Sequence, residues 1–303
     1  MITIISGGTG SVKLIRGFNL IDKQIAVISN VGDNVWKYGL YICPDIDTII
    51  YGLSGLLDTS RGWGIKGDTF KFVDQTGKLG QENWFRVGDR DLATHILRTE
   101  LVKKGLKLTQ ITELFRMRYK LKARLVPISD DSIETRIITN LGEMNIQEFW
   151  IKNKARLTVK GIKYKGAQNA KLTAKVLECI RRSKKIIIAP ANPISSIGPS
   201  LAVPGFRDEL AKVKKNVIAV SPIEGTQAYS GPAAKYMRAM SLEVSPAGIA
   251  RYYSDIIGTL IISKRDHSYS NDIRKLGIDL FLTNIRMKTL HQEPRLASFL
   301  MGI

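Results

Sequence analysis

Four runs of apolar, mostly β-branched residues stand out in this chain, and each ends directly in a loop of small or polar residues. The runs are residues 2–6, 25–29, 185–189 and 217–221. Short apolar runs bounded by glycine, proline or acidic residues, with helical patterns between them, are typical of buried parallel strands. The pattern therefore predicts an α/β fold built on a doubly wound, mostly parallel sheet of the Rossmann type.

The hydrophobic period changes in one internal segment, where short apolar runs are separated by turn residues. The runs ARLVPI, ETRIITN and MNIQEFWI, continued by LTVKGIKY, indicate antiparallel strands. We therefore expect an α/β core formed by residues 1–124 and 167–303, and a smaller β-rich insertion subdomain at residues 125–166.

A helix is predicted from about Asp89 to Lys104, with Asp89 or Asp91 as its cap. The spacing of its apolar residues predicts that one face packs into the core. That face comprises Leu92, Ile96, Leu97 and Leu101.

Composition narrows the class of protein. The chain has 303 residues and a net charge of +19, with basic excess at residues 101–125 and 151–185. A solvated basic face is the simplest interpretation, and attraction of a nucleotide or other polyanion comes next. Specific nucleic-acid binding is disfavoured, because no known DNA- or RNA-binding signature accompanies the charge. Two cysteines and no long apolar run predict a cytoplasmic protein without a membrane span.

The loops after the four predicted strands should meet at one edge, because ligands of such sheets bind beyond the carboxyl ends of the strands. The first loop, Gly7-Gly8-Thr9-Gly10, precedes a helix that carries Lys13. Glycines let a backbone approach phosphate closely, and a helix N-terminus favours anions. The spacing fits neither a P-loop nor the dinucleotide fingerprint, and a tight structural turn is the competing explanation.

Acidic residues follow the second strand. Asp45 and Asp47 come directly after Pro44, and Asp33 precedes them. Close carboxylates repel one another unless a cation neutralises them, and Mg²⁺ commonly takes one or two carboxylates plus substrate phosphate. The sequence thus predicts an Mg²⁺ or substrate site, although Asp47 can equally cap the helix that follows it.

Three further segments offer binding groups. Residues 83–91, with Trp84, Arg86 and Arg90, can hold a planar ring, or can instead form a capped helix entrance with Trp84 and Phe85 in the core. The other two segments are polar turns after strands and can hold an anion or a nucleotide base. Their candidate residues are Asn192, Ser195, Ser196 and Gly198 in the first, and Ser221, Ser230 and Gly231 in the second. No histidine stands near a candidate nucleophile, which favours metal-assisted direct transfer.

Taken in order, the motifs resemble the 2-phospho-L-lactate transferase family of deazaflavin coenzyme F-420 biosynthesis. The matching segments, which extend over nearly the whole chain, are SGGTG, NVGDN, CPDIDT, GWGIKGDTF, WFRVGDRDLATHILRTEL, PISDDSIETRI, IAPANPISSIGPSLAVPG, SGPAAKYMRAM and SPAGIARYYSDI.

The resemblance implies transfer of a phospholactyl or phosphoenolpyruvyl group from a guanosine diphosphate-linked donor. The acceptor would be Fo, 7,8-didemethyl-8-hydroxy-5-deazariboflavin, and the enzyme would be an Mg²⁺-dependent homodimer. It also implies that Asp47 and Arg86 contact Fo, that Asp33 and Asp45 bind the metal, and that the glycine loop and both polar turns hold the donor. By hypothesis, Asp45 or Asp47 positions the attacking hydroxyl or takes its proton, and Arg86 orients the acceptor.

Three alternatives stay open. A non-catalytic regulator of the gluconeogenesis-factor type, binding a nucleotide sugar, would share the glycine loop but would not need CPDIDT together with WFRVGDRD. A nicotinamide-dependent oxidoreductase is disfavoured by Lys13, which stands where the third glycine of the fingerprint belongs. A nucleic-acid binder would show steeply salt-dependent affinity.

Overall fold

The structure, a computed structural model, describes residues 1–21, 24–229 and 231–303. Within these residues the chain forms fourteen strands and twelve α-helices. The strands are β1 (Ile2–Ser6), β2 (Ile25–Ser29), β3 (Val35–Lys37), β4 (Leu40–Ile42), β5 (Arg124–Pro127), β6 (Glu134–Thr139), β7 (Gly142–Asn145), β8 (Val159–Lys165), β9 (Lys185–Ile188), β10 (Val217–Val220), β11 (Ile223–Glu224), β12 (Gln227–Ala228), β13 (Thr259–Ser263) and β14 (Asp279–Thr283).

The helices lie between these strands. They are α1 (Gly8–Ile21), α2 (Pro44–Ser54), α3 (Lys71–Lys78), α4 (Asp91–Lys103), α5 (Leu108–Arg118), α6 (Ala174–Arg182), α7 (Gly198–Leu201), α8 (Phe206–Lys212), α9 (Ala233–Ala239), α10 (Pro246–Tyr253), α11 (Ser270–Arg274) and α12 (Gln292–Gly302). Single turns of π-helix occur at Glu148–Lys152 and Pro193–Ile197, and 3₁₀ turns at Ala167–Asn169, Lys214–Asn216 and Lys264–Tyr269. Among the described residues, no helix has the length and apolar character needed to span a bilayer.

The main sheet has seven strands, all parallel, in the order β14-β13-β10-β9-β1-β2-β5. Every residue of β1 and β2 is buried, as expected for strands covered by helices on both faces. The predicted doubly wound α/β fold is confirmed, and all four predicted strands are present.

The strand order reverses direction between β1 and β9. From β1 the chain builds one side of the sheet through β2 and β5, and it then returns to add β9 on the other side of β1. In doubly wound folds the crevice at this reversal is where ligands bind. The loops that follow β1 and β9 therefore meet at the expected ligand site.

The insertion contains a three-stranded antiparallel sheet in the order β7-β6-β8. The predicted smaller antiparallel unit is thus present, but it does not include the run ARLVPI. That run forms β5, which pairs in parallel with β2, because Leu125 and Val126 are buried in the main core. The division of the chain into two domains stays a prediction.

Helix α4 buries a polar face beside the apolar face that was expected. Its buried residues are Asp91, Thr94, His95, Arg98 and Thr99, whereas Ile96 is 51% exposed. Leu92, Leu97 and Leu101 are partly buried and pack against apolar clusters as predicted, so the apolar-face prediction was wrong only at Ile96. The most buried side chains of α4 are polar because they pack against polar side chains of α2, which supply partners for the buried charges.

The loop that precedes each of the helices α3 and α4 supplies the N-terminal cap of the other helix. The carboxylate of Asp68 accepts hydrogen bonds from the backbone N–H groups of Arg90 and Asp91, at 2.9 and 3.0 Å. The carboxylate of Asp89 accepts from those of Lys71 and Phe72, at 3.0 and 2.9 Å. Asp89, predicted as a cap of α4, caps α3 instead, because the two loops run side by side.

Candidate active site

A cavity of about 420 Å³ lies beyond the carboxyl ends of β1, β2 and β9. It is lined by ten of the residues singled out from the sequence: Gly7, Gly8, Thr9, Gly10, Asp33, Asp45, Asp47, Arg86, Asn192 and Ser196. Acidic residues from the first part of the chain and a polar turn from its last part therefore face each other across one cavity.

The glycine loop and the turn after β9 are in close contact. A Cβ atom on Gly7 would lie 2.6 Å from both the Cβ and the carbonyl oxygen of Ser196, so a side chain at position 7 would force the two loops apart. Gly8 has φ +62°, the left-handed region that favours glycine. The loop leads into the first turn of α1, whose N–H groups lack partners within the helix. This arrangement suits an anion.

Asn192 lines the cavity and carries an unpaired donor. Its Oδ1 accepts hydrogen bonds from the N–H groups of Ile194 and Ser195, at 3.0 and 3.2 Å, which fixes the orientation of the amide. Its Nδ2 is buried and has no hydrogen-bond partner. A buried unpaired donor costs free energy, and an oxyanion would satisfy it.

Asp33 and Asp45 share one donor. The Nδ2 of Asn30 donates to Asp33 Oδ1 at 3.2 Å and to Asp45 Oδ2 at 2.9 Å. Burial, and then repulsion from Asp45, raises the pKa of Asp33. Burial also raises the pKa of Asp45 to about 7, opposed by the Asn30 hydrogen bond and assisted by Asp47. The two buried carboxylates therefore lie close together without enough nearby positive charge to neutralise them.

A divalent cation fits this deficit. In the described part of the chain no group of three His, Cys, Asp or Glu side chains could hold a metal ion. A cation here would therefore bind two carboxylates and take its other ligands from water or phosphate, which is the ligand set that Mg²⁺ accepts.

Asp47 differs from Asp45 because it already has a cationic partner. Arg98 Nη1 donates to Asp47 Oδ2 at 3.0 Å, and Nη2 makes a second, shorter contact to Oδ1. Arg98 is fully buried. His95 lies beside this pair, with Nδ1 3.7 Å from Asp47 Oδ2 and Nε2 3.3 Å from Asp91 Oδ1. Asp47 thus lines the cavity as one half of a buried ion pair.

Several residues at or beside the cavity were not identified from the sequence. Asn30 donates hydrogen bonds to Asp33 and Asp45, and Arg98 donates to Asp47. The lining residues that were missed include Tyr51, Arg61, Trp63, Asp91, His95, Gln147 and Trp150. One signal was available: Asp91, His95 and Arg98 recur at helical spacing on one face of α4. Arg61 and Trp63 lie in an irregular segment and Trp150 in a single turn of π-helix, where spacing gives no such signal.

Of the three candidates in residues 83–91, Arg86 lines the cavity, whereas Trp84 and Arg90 do not. The indole N–H of Trp84 donates to Glu82 at 3.0 Å, and the ring packs under Lys37. Arg90 is exposed and donates to the carbonyl of Lys66 at 3.3 Å. Trp84 and Arg90 are held elsewhere because the chain turns between them and Arg86.

Five other candidates lie outside this cavity. The Nζ of Lys13 donates to the carbonyl of Met287 at 2.9 Å and borders a second cavity of about 150 Å³. Ser195 is buried, and the hydroxyl of Ser221 bonds locally to Ile223. Gly198 packs under Tyr164, and Gly231 packs under Trp150. Ser230 is outside the described residues.

Comparison with known proteins identifies the family. The family model of 2-phospho-L-lactate transferase CofD matches residues 2–286. A 2-phospho-L-lactate transferase of Methanosarcina mazei is 38% identical over 98% of both chains. One of Methanocaldococcus jannaschii is 38% identical over 98% of this chain and 96% of its own.

Among solved structures, a UPF0052-family protein of Bacillus halodurans has the same fold. Its TM-score is 0.66 at 15% identity, covering 99% of this chain and 98% of its own. From the sequence comparisons, the chain belongs to the 2-phospho-L-lactate transferase family and is a transferase.

Proposed function

We propose that this protein transfers a 2-phospholactyl group, or its phosphoenolpyruvyl equivalent, from a guanosine diphosphate-linked donor to Fo. The products would be the glutamate-free deazaflavin coenzyme and GMP, with Mg²⁺ required. One observation carries the proposal beyond family membership. Asp33 and Asp45, short of positive charge, line the same cavity as the glycine loop and Asn192.

The donor diphosphate would bind between the glycine loop and the turn after β9. Both segments offer N–H donors: the first turn of α1, and Asn192 Nδ2, which has no protein partner. Asp45 lies against this loop, with Oδ1 2.9 Å from the position that a Cβ on Gly8 would occupy. Phosphate and carboxylate would therefore be neighbours, a juxtaposition that requires a cation between them.

Asp33 and Asp45 are the residues that would hold Mg²⁺. When bound, the ion would neutralise charge on the diphosphate and on the GMP leaving group.

Fo would occupy the outer part of the cavity. Trp63 and Trp150 are 37% and 42% exposed, and Phe85 lies deeper. Aromatic side chains of this kind favour a planar ring system. Arg86, with one nitrogen tied to Asp74 at 2.6 Å, would orient the acceptor.

In the reaction, the terminal ribityl hydroxyl of Fo attacks the phospholactyl phosphorus. The new oxygen–phosphorus bond forms as the bond to GMP breaks, and the hydroxyl proton passes to a carboxylate. Asp45 and Asp47 both line the cavity, and either would position this hydroxyl or accept its proton.

The test is to incubate the purified protein with Fo, Mg²⁺ and lactyl-diphosphoguanosine, and to look by mass for the phospholactyl adduct of Fo. We expect the adduct, its loss with EDTA, and a large loss of rate in Asp45→Asn. Asp279→Asn, at an exposed position on β14, is the matched control and should react normally. A parallel reaction with the enolpyruvyl donor identifies the preferred group.

The proposal would be wrong if the protein ignored Fo but bound a nucleotide sugar, as a regulator would. It would also be wrong if Asp45→Asn reacted at the wild-type rate with Mg²⁺ limiting. The homodimer and the cytoplasmic location stay predictions.

A further inference from the structure

Two arginines line the cavity and share one aromatic ring. The guanidinium carbons of Arg61 and Arg86 lie 4.9 and 4.7 Å from the centre of the Phe70 ring. Among the described residues that line the cavity, these two carry a permanent positive charge. They come from separate segments, Arg61 from the loop after α2 and Arg86 from the segment before α4. Each arginine also has an aspartate partner, so what the two offer to an anion is their remaining N–H donors.

Each arginine is held by one aspartate through part of its guanidinium group. Arg61 Nη2 lies 2.8 Å from Asp58 Oδ2 and also donates to the carbonyl of Ile65 at 3.1 Å. Arg86 Nη1 donates to Asp74 Oδ1 at 2.6 Å. Both guanidinium groups are thus positioned by the protein, and neither is fully used by it.

Arg61 keeps one donor without a partner. Its Nε is buried and has no hydrogen bond to the protein, although the side chain as a whole is 27% exposed. A buried N–H without a partner costs free energy, so the protein itself does not use all the donors of Arg61, a residue that lines the cavity. An arginine fork suits carboxylate and phosphate oxygens.

The loop that carries Arg61 is fixed to the glycine loop. Thr9 Oγ1 donates to the carbonyl of Gly62 at 3.1 Å. A Cβ on Gly62 would lie 2.7 Å from the Thr9 methyl group, and Gly62 has φ +78°. Arg61 therefore stands next to the segment that is best suited to bind phosphate.

We propose that Arg61 binds an oxyanion group of the donor, while Arg86, across the Phe70 ring, faces the acceptor. This inference rests on the proposed function and adds a donor-binding residue to it. The donor carries two such groups, the diphosphate and the lactyl carboxylate. Both present the same chemistry to a guanidinium group, so the experiment separates them.

The experiment measures the affinity of GDP and of lactyl-diphosphoguanosine, each with Mg²⁺, by calorimetry on the full chain. Arg61→Gln removes the charge and the fork. We expect the donor affinity to fall roughly tenfold to a hundredfold, because a hydrogen bond to a charged group is lost. Arg61→Lys keeps the charge and should recover part of the loss. If Arg61→Gln weakens the binding of both GDP and the donor, Arg61 binds the diphosphate, which both ligands carry. If it weakens the binding of the donor alone, Arg61 binds the lactyl carboxylate.

The matched control is Arg251→Gln, because Arg251 pairs with Glu243 on an exposed surface outside the cavity. It should bind both ligands as the wild type does. Fo binding and the melting temperature of Arg61→Gln are measured in parallel, since a purely structural arginine would lower all of these together.

The inference is overturned if Arg61→Gln binds the donor as tightly as the wild type. It is also overturned if donor affinity, Fo affinity and melting temperature fall in step. If the wild type forms no phospholactyl adduct, the proposed function fails, while GDP binding still tests Arg61.

Discussion

Asp45 lies in an environment that is unfavourable to its charge. It is buried, and Asn30 supplies its hydrogen bond from the protein. Its pKa of about 7 compares with an ordinary value of 3.8. Between these values the unfolded chain releases the proton and the folded chain retains it, so this group lowers stability as the pH rises from about 4 to about 7.

Asp45→Asn should therefore stabilise the metal-free protein while it abolishes transfer. In EDTA, thermal unfolding should show the variant melting above the wild type at pH 8 and the two converging near pH 4, since each unit of pKa shift is about 1.4 kcal/mol. Added Mg²⁺ should raise the melting temperature of the wild type more than that of the variant. Equal melting temperatures throughout this pH range would contradict the assignment.

Arg98 is the buried charge on which Asp47 depends. Removing one partner of a buried ion pair leaves the other uncompensated, which typically costs about 3–5 kcal/mol. We expect Arg98→Met to lose about that much stability in urea unfolding. The double variant Asp47→Asn/Arg98→Met should recover much of the loss, because neither charge then remains.

Arg182→Met is the control for this prediction. Arg182 pairs with Glu178 on the surface, where its side chain is 68% exposed. Surface pairs contribute about 0–1 kcal/mol, so little stability should be lost. A small effect at Arg98 as well would mean that water reaches the Asp47 carboxylate.

The sequence predicted which residues after the strands lie together at one edge of the sheet. It did not predict the direction of individual side chains. Asp33, Asp45 and Asn192 were identifiable because the ends of parallel strands meet at one edge. Lys13 and Trp84 do not line this cavity, because their side chains are directed by contacts with Met287, which is distant in sequence, and with Glu82, which lies in an irregular loop. Local pattern does not contain that information.

At the scale of elements, the insertion holds the turn after β9 in place. Tyr164 of β8 donates its hydroxyl hydrogen to the carbonyl of Ile194 at 2.6 Å. A Cβ on Gly198 would lie 2.1 Å from the Tyr164 hydroxyl oxygen. The glycine is therefore needed for this contact between elements, and the turn that carries Asn192 depends on it.

Gly198→Ala should push β8 away from this turn. We expect a loss of about 1–3 kcal/mol from overpacking, together with weaker GDP binding, measured by urea unfolding and calorimetry. Gly161→Ala in the same strand is the control, because its Cβ would meet Ile138 at an ordinary 3.6 Å. Unchanged stability and GDP affinity in Gly198→Ala would show that the turn does not depend on Tyr164.

Helix α4 shows why an element can be predicted while the polar part of its buried face is not. Its bounds agree closely with the prediction, because they follow from local signals. Its buried face is polar, because α2 supplies Asp47 and Tyr51 as partners for Arg98 and Asp91. A hydrophobic pattern alone assumes an apolar neighbour, and at an active site that assumption fails.

At the scale of the whole molecule, the fold was predictable because strands buried on both faces have a distinctive composition. The exception, β5, is four residues long, and only Leu125 and Val126 distinguish it from the insertion that follows. Its place at the edge of the main sheet depends on pairing with β2, nearly a hundred residues earlier.

The net charge of +19 should accelerate capture of an anionic donor. Between about 0.01 M and about 0.1 M salt, the Debye length falls from about 30 Å to about 10 Å. We expect kcat/KM for the donor to fall several-fold over this range, with kcat nearly constant. Fo, which carries no phosphate, is the internal control, and an equal response of both substrates would argue against electrostatic attraction of the donor.

The exchanged caps of Asp68 and Asp89 have a mechanical consequence. Each helix start is secured by the loop that precedes the other, so neither α3 nor α4 can swing outward without breaking hydrogen bonds at both starts. Gly88 packs against the Asp68 carboxylate, because a Cβ at position 88 would lie only 2.2 Å from Asp68 Oδ2. The side of the cavity that bears Arg86 is therefore held rigidly by hydrogen bonds at the starts of two helices.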